Sequence, residues 1–90
     1  MGDAMTGIED AVDNTFTRWG LTARPIMDRQ QCAEVTAISL GLGALFNEDI
    51  NAERLWMKQP RRELRGSAST AVLQGRTSEV LAIVNRERNL

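Results

Sequence analysis

The stretch from Asp28 to Phe46 constrains the fold more than any other part of the chain. Asp28 and Gln31 have the spacing of a capping box, in which the acid accepts from the amide three residues on and the glutamine side chain reaches back. Behind this start Cys32, Val35, Ile38, Leu42, Leu45 and Phe46 recur at helical spacing. A long helix with one continuous apolar face must be covered by other elements, so the stretch predicts the spine of a helical domain. Gly41 and Gly43 fall inside it. Each lowers helix propensity by up to about 1 kcal/mol relative to alanine, so the pair marks close approach of another helix or a local bend. The Gly-Leu-Gly they frame is not a dinucleotide fingerprint, because no strand precedes it and the third glycine is absent.

The remaining segments read as shorter helices. Thr6 and Glu9 form another capping-box pair, and Ile8, Val12, Phe16 and Trp19 trace an apolar stripe that ends at Gly20, where a left-handed cap belongs. Residues 20–27 contain Pro25 and form a connector. Asp49 or Asn51 caps a short helix ending near Met57, with Leu55 and Trp56 toward the core and Arg54 and Lys58 toward water. Pro60 stops it, and Arg61, Arg62 and Arg65 crowd a loop that ends at Gly66. Ser67 or Ser69 caps a brief helix through Leu73 that closes at Gly75, and Thr77 or Ser78 caps the last helix. In that helix Val80, Leu81, Ile83 and Val84 face inward, while residues 85–90 turn polar and add little to folding. No run alternates with period two, so no sheet is expected. The prediction is an all-α fold, a small bundle of about five helices with one long central helix. Residues 1–27 supply an N-terminal helix and connector, and residues 28–90 a helical region packed with them as a single domain.

Ninety residues bury only about 60–65% of the surface of the unfolded chain, so the core is thin. A hydrophobic fraction of 42% with 26% charged residues lies outside the composition of disordered chains. Lone Cys32 has no internal partner and no apolar leader or span is visible, which points to a reducing, bacterial cytoplasm and no membrane. The net charge of -1 argues against a general nucleic-acid binder. The charge is unevenly placed: residues 1–57 hold nine acids and four bases, residues 58–90 three acids and seven bases. The C-terminal third therefore suits an acidic partner surface, unless the two parts neutralise each other.

Catalysis finds no support in the residues. There is no histidine, Cys32 sits on the apolar face of the spine, and Glu48, Asp49 and Glu53 have the positions of helix N-terminal charges. The chain is read as a non-enzyme without metal or cofactor. A DNA-binding helix-turn-helix is disfavoured as well, since the connector from Gly20 to Met27 is too long and the helix after it is mainly apolar. Arg61, Arg62 and Arg65 leave two readings open, a solvated loop or a grip on phosphate or carboxylate.

In order and spacing, residues 38–88 resemble the toxin-binding domain of the Xre/MbcA/ParS antitoxins. The likeness is carried by Leu40–Phe46, Ala52–Met57 with Leu55-Trp56, Gln59-Pro60, Leu64-Arg65-Gly66-Ser67, and Leu73-Gln74-Gly75 leading to Val80-Leu81. Thr15-Phe16-Thr17-Arg18-Trp19-Gly20-Leu21 is similar to the opening of that family's helix-turn-helix part. Two departures stand out: Ala68 occupies a family proline position, and the segment between Leu21 and Gln31 is too short for the usual helix-turn-helix. Residues 1–27 thus resemble a remnant of that region.

The resemblance implies a protein inhibitor that binds a RES-domain toxin, an enzyme acting on NAD, and covers its active-site entrance. It also implies homo-oligomers or larger assemblies, and places Arg86, Arg88 and Leu90 nearest the toxin. Together with Trp56, Arg61, Arg62 and Arg65 these are the expected partner-binding residues, aromatics and arginine being enriched at interface hot spots. The competing expectation is a self-associating adaptor or transcriptional co-regulator that keeps the fold without toxin binding. DNA binding by this chain alone is not expected.

Overall fold

The computed structural model describes residues 4–89. Its elements, in chain order, are α1 (Ala4–Arg18), α2 (Arg29–Phe46), α3 (Ile50–Lys58), β1 (Pro60–Arg61), a 3-10 turn (Arg62–Leu64), β2 (Gly66–Ser67), α4 (Ala68–Leu73) and α5 (Thr77–Arg88). This is the expected small all-α bundle, with the 18-residue α2 as its spine. Among the described residues no helix is long and apolar enough to cross a membrane.

α2 starts where the sequence places it. The Asp28 carboxylate accepts from the Gln31 amide at 2.8 Å, and the Asp28 amide donates to the Gln31 side chain at 3.0 Å. Cys32, Val35, Ile38 and Leu42 lie in the core with Val12 and Phe16 of α1, Trp19 just beyond it, and Val80, Ile83 and Val84 of α5. α1 and α5 both pack against the spine. The α2–α5 crossing explains Gly41: a Cβ there would overlap Val84 Cγ1 and lie 3.4 Å from Arg88 Cδ. Gly43 has a different reason. Asn47 and Glu48 both adopt left-handed backbone, at φ 52° and 65°, and this turn folds the Glu48 carboxylate back to where a Gly43 side chain would sit.

α1 ends in a Schellman arrangement, with the Leu21 amide donating to Phe16 and the Gly20 amide to Thr17, Gly20 being left-handed at φ 77°. The helix begins at Ala4, two residues ahead of the expected cap, so Thr6 lies within it. The Ile8 side chain, expected on the apolar stripe, lies outside the described residues.

α1 and α3 are tied by crossed arginines. Arg18 reaches Glu53 in bidentate fashion, Nε to Oε1 at 3.0 Å and Nη2 to Oε2 at 2.6 Å, and also meets Glu48. In return, Arg54 of α3 donates to the Arg18 carbonyl at 2.7 Å and to that of Thr17, satisfying the end of α1. Glu53 is completely buried. Its hydrogen bond is the largest influence on Arg18, raising the guanidinium pKa above its ordinary value against partial desolvation. The expectation that Arg54 faces water is thereby corrected; Glu53 lies in the first turn of α3 as expected, with its carboxylate bonded to Arg18.

Three further expectations are corrected. A short sheet exists: β1 pairs antiparallel with β2, Pro60 opposite Ser67 and Arg61 opposite Gly66. Strands of two residues are too short to show alternation. Thr77 does not cap α5. It is buried, and its hydroxyl donates to Glu34 of α2 at 2.8 Å, while Arg76 precedes the helix without a side-chain cap. Residues 85–89 are not a free tail, because α5 runs to Arg88 and Glu87 makes tertiary bonds. Cap assignments at Asp49 and Ser67 hold, their oxygens accepting from Ala52 and Thr70 amides respectively.

Candidate functional site

The end of the molecule formed by α3, the hairpin and the last turn of α5 collects most of the expected partner-binding residues. Its organising group is Trp56. Glu53, Trp56 and Met57 are the buried residues of α3, spaced i, i+3, i+4, which sets the face it turns inward. The Trp56 ring is nearly covered, and its indole N–H donates to Glu87 Oε1 at 3.0 Å. Arg61 lies over the ring with its guanidinium carbon 4.2 Å from the centroid, and donates to Glu87 Oε2 at 3.1 Å. One carboxylate thus joins α3, β1 and α5. A cation over an indole face contributes on the order of 0.5–2 kcal/mol, more where water is excluded.

Beside this latch lies an open cavity of about 320 Å³, lined by Phe46, Ala52, Leu55, Trp56, Gln59, Arg61 and Glu87. Leu55 stands at its edge, 60% exposed. The expectation that Leu55 and Trp56 both turn to the core is therefore half right. Adjacent helical residues point about 100° apart, and burial of Glu53 rotates α3 so that Trp56 goes in and Leu55 stays out. The sequence signal was present in the i, i+3, i+4 set of Glu53, Trp56 and Met57, but an acid inside an apolar set reads as surface.

The other expected residues divide. Arg62 and Arg65 are exposed around the 3-10 turn, Arg65 left-handed at φ 54°. Among the described residues neither has a carboxylate within ion-pair distance, whereas Arg61 is committed to the latch. Of the two readings of the basic loop, Arg61 follows the grip on a carboxylate, and that carboxylate is Glu87 of the same chain. Arg86 is exposed and paired with Glu63, whose pKa is lowered first by that hydrogen bond and then by its own backbone amide. Arg88 is exposed, its stem passing Gly41 of α2. Leu90 lies outside the described residues. Phe46, Leu55, Gln59 and Glu87 belong to this end and were not anticipated as site residues.

Reactive groups are not gathered here. Cys32 is buried in the core, and among the described residues no cluster of three His, Cys, Asp or Glu side chains is placed to hold a metal ion. No protein-family model, curated protein or solved structure matches the chain.

Proposed function

We propose that this chain is a protein-binding domain of the antitoxin type, which engages a RES-type, NAD-targeting enzyme and blocks access to its active site without catalysing a reaction itself. The observation that carries the reading is the Trp56 end: an exposed Leu55 at an open cavity beside the Trp56–Arg61–Glu87 latch, with exposed Arg62 and Arg65 in the turn that follows. Rigid apolar anchors bordered by exposed arginine are the ingredients of a protein interface. Two of the segments that resemble the antitoxin family meet physically at this end. Gln59-Pro60 leads into the strand that pairs with Gly66-Ser67, and Ser67 caps α4. A cytoplasmic setting suits the unpaired, buried Cys32.

The test is co-expression of a tagged chain with the product of the neighbouring gene, followed by an NAD-consumption assay of that product. A stoichiometric complex whose NAD turnover stops at equimolar chain supports the reading. Failure to co-purify, with turnover unaffected by excess chain, overturns it.

A second reading, a self-associating adaptor, is favoured by one observation. Leu40 is 70% exposed on α2, between exposed Ala33 and Ala44 on the same side of the spine. Sedimentation equilibrium decides: a strict monomer at high micromolar concentration counts against it.

A further inference from the structure

The cavity beside Trp56 has an apolar wall and lies next to a basic stretch of the chain. Phe46, Ala52, Leu55 and the indole supply the wall. Next to it along the chain, exposed Lys58 and Arg62 adjoin the lining residues Gln59 and Arg61, and exposed Arg65 follows in the same turn. Among the described residues no carboxylate lies within ion-pair distance of Lys58, Arg62 or Arg65. The two acids of this end are already engaged, Glu63 by Arg86 and Glu87 by Trp56 and Arg61. A space of about 320 Å³ is at the small end of ligand pockets, and its open shape leaves a small molecule largely in water. It suits one large side chain whose remaining affinity comes from the basic stretch.

We infer that this end receives a short acidic segment of a partner protein, which inserts one large apolar side chain between Phe46, Leu55 and Trp56 and sets its Asp or Glu side chains against Lys58, Arg62 and Arg65. The inference rests on the protein-binding reading above and adds the chemistry of the element recognised. Charge complementarity selects an acidic occupant, and it acts on encounter rate and specificity more than on raw affinity. A nucleic acid also meets the cations, but single-strand binding depends on exposed aromatic faces. Trp56 is only 4% exposed, with Arg61 already over its ring, so no stacking platform is offered.

The experiment is a display selection of random dodecapeptides against the full chain, followed by a ¹H–¹⁵N titration with the strongest peptide. Enriched sequences are expected to combine Asp and Glu with a single Leu, Phe, Met or Trp. The Trp56 indole N–H and the amides of Leu55 and Gln59 should shift on binding. The Lys58→Glu/Arg62→Glu double variant should weaken binding at least tenfold and flatten its salt dependence, while its melting temperature stays within a few degrees of the parent. If that variant unfolds, Lys58→Ala and Arg62→Ala singly serve the same purpose, with smaller losses. No enrichment, enrichment of neutral or basic peptides, or shifts confined to another face overturns the inference. So does a dodecathymidylate probe that binds the same residues as tightly. The two proposals fail separately. A neighbouring enzyme bound and inhibited equally well by Leu55→Asp removes this site and leaves the inhibitor reading standing, whereas acidic-peptide binding without an enzyme partner does the reverse.

Discussion

Replacing Gly41 by alanine sets two opposed effects against each other at the contact that positions α5. In a helix interior the change favours folding by about 0.5–1 kcal/mol, through lower backbone entropy in the unfolded chain. At this position, however, the new methyl overlaps Val84 Cγ1 and lies 3.4 Å from Arg88 Cδ. Val84 is fully buried and β-branched, so one rotamer is strongly preferred in the helix and the side chain has little room to turn aside. Overpacking of this kind costs about 1–3 kcal/mol. The expected balance is a loss of about 0.5–2 kcal/mol, a fall in melting temperature of roughly 3–12 °C for a domain of this size. Urea unfolding followed by circular dichroism measures it. Gly7→Ala is the control, because its Cβ meets nothing within 4 Å, and it should stabilise by up to about 1 kcal/mol. In a Val84→Ala background, Gly41→Ala should become neutral or stabilising. If Gly41→Ala stabilises the parent chain as Gly7→Ala does, the close α2–α5 approach is wrong, and with it the placement of Glu87.

Other perturbations test the remaining ties. Glu53→Ala leaves Arg18 with only Glu48 and water. Removing one partner of a buried pair costs about 3–5 kcal/mol, and the 26% exposure of the Arg18 side chain moves the expectation down to about 2–3 kcal/mol, measured by urea unfolding. Glu87→Ala frees both the Trp56 indole and Arg61, so it should destabilise by about 1–3 kcal/mol and increase quenching of Trp56 by acrylamide; unchanged quenching would mean the latch does not form. Glu63 should titrate below the ordinary carboxylate value, and Arg86→Ala should return it toward that value in a ¹³C carboxyl titration. Because the folded pKa is the lower one, this pair contributes to stability above the unfolded value of about 4.3, and the contribution disappears as pH falls from there through the folded value.

The parts of the fold legible in the sequence are those fixed by local chemistry. The Asp28 box, the Asp49 and Ser67 caps and the left-handed glycines at Gly20 and Gly75 each depend on a few adjacent residues, and all are present. The errors occur where tertiary contact reverses a local preference. Glu53 is an acid near a helix start, but Arg18 from 35 positions away makes it a core residue, and its burial turns Leu55 outward. Thr77 resembles a cap until Glu34, 43 positions away, takes its hydroxyl. Residues 85–88 look like solvated helix end because Glu87 is polar, yet its partners lie on α3 and β1. Basic character in the C-terminal third was visible from counting, whereas which arginines are spent internally and which stay free required the fold.

The most direct test of the protein-binding account is a calorimetric titration of the neighbouring gene's product with the parent chain and with Leu55→Asp, alongside thermal melts of both. Leu55 is already exposed, so the substitution should leave the melting temperature nearly unchanged. The account predicts one-to-one binding by the parent and a loss of roughly tenfold to a hundredfold in the variant, the equivalent of removing one buried leucine from an interface. No heat from the parent at high micromolar concentration would contradict the account, and binding of equal strength by the two chains would place the contact away from Leu55.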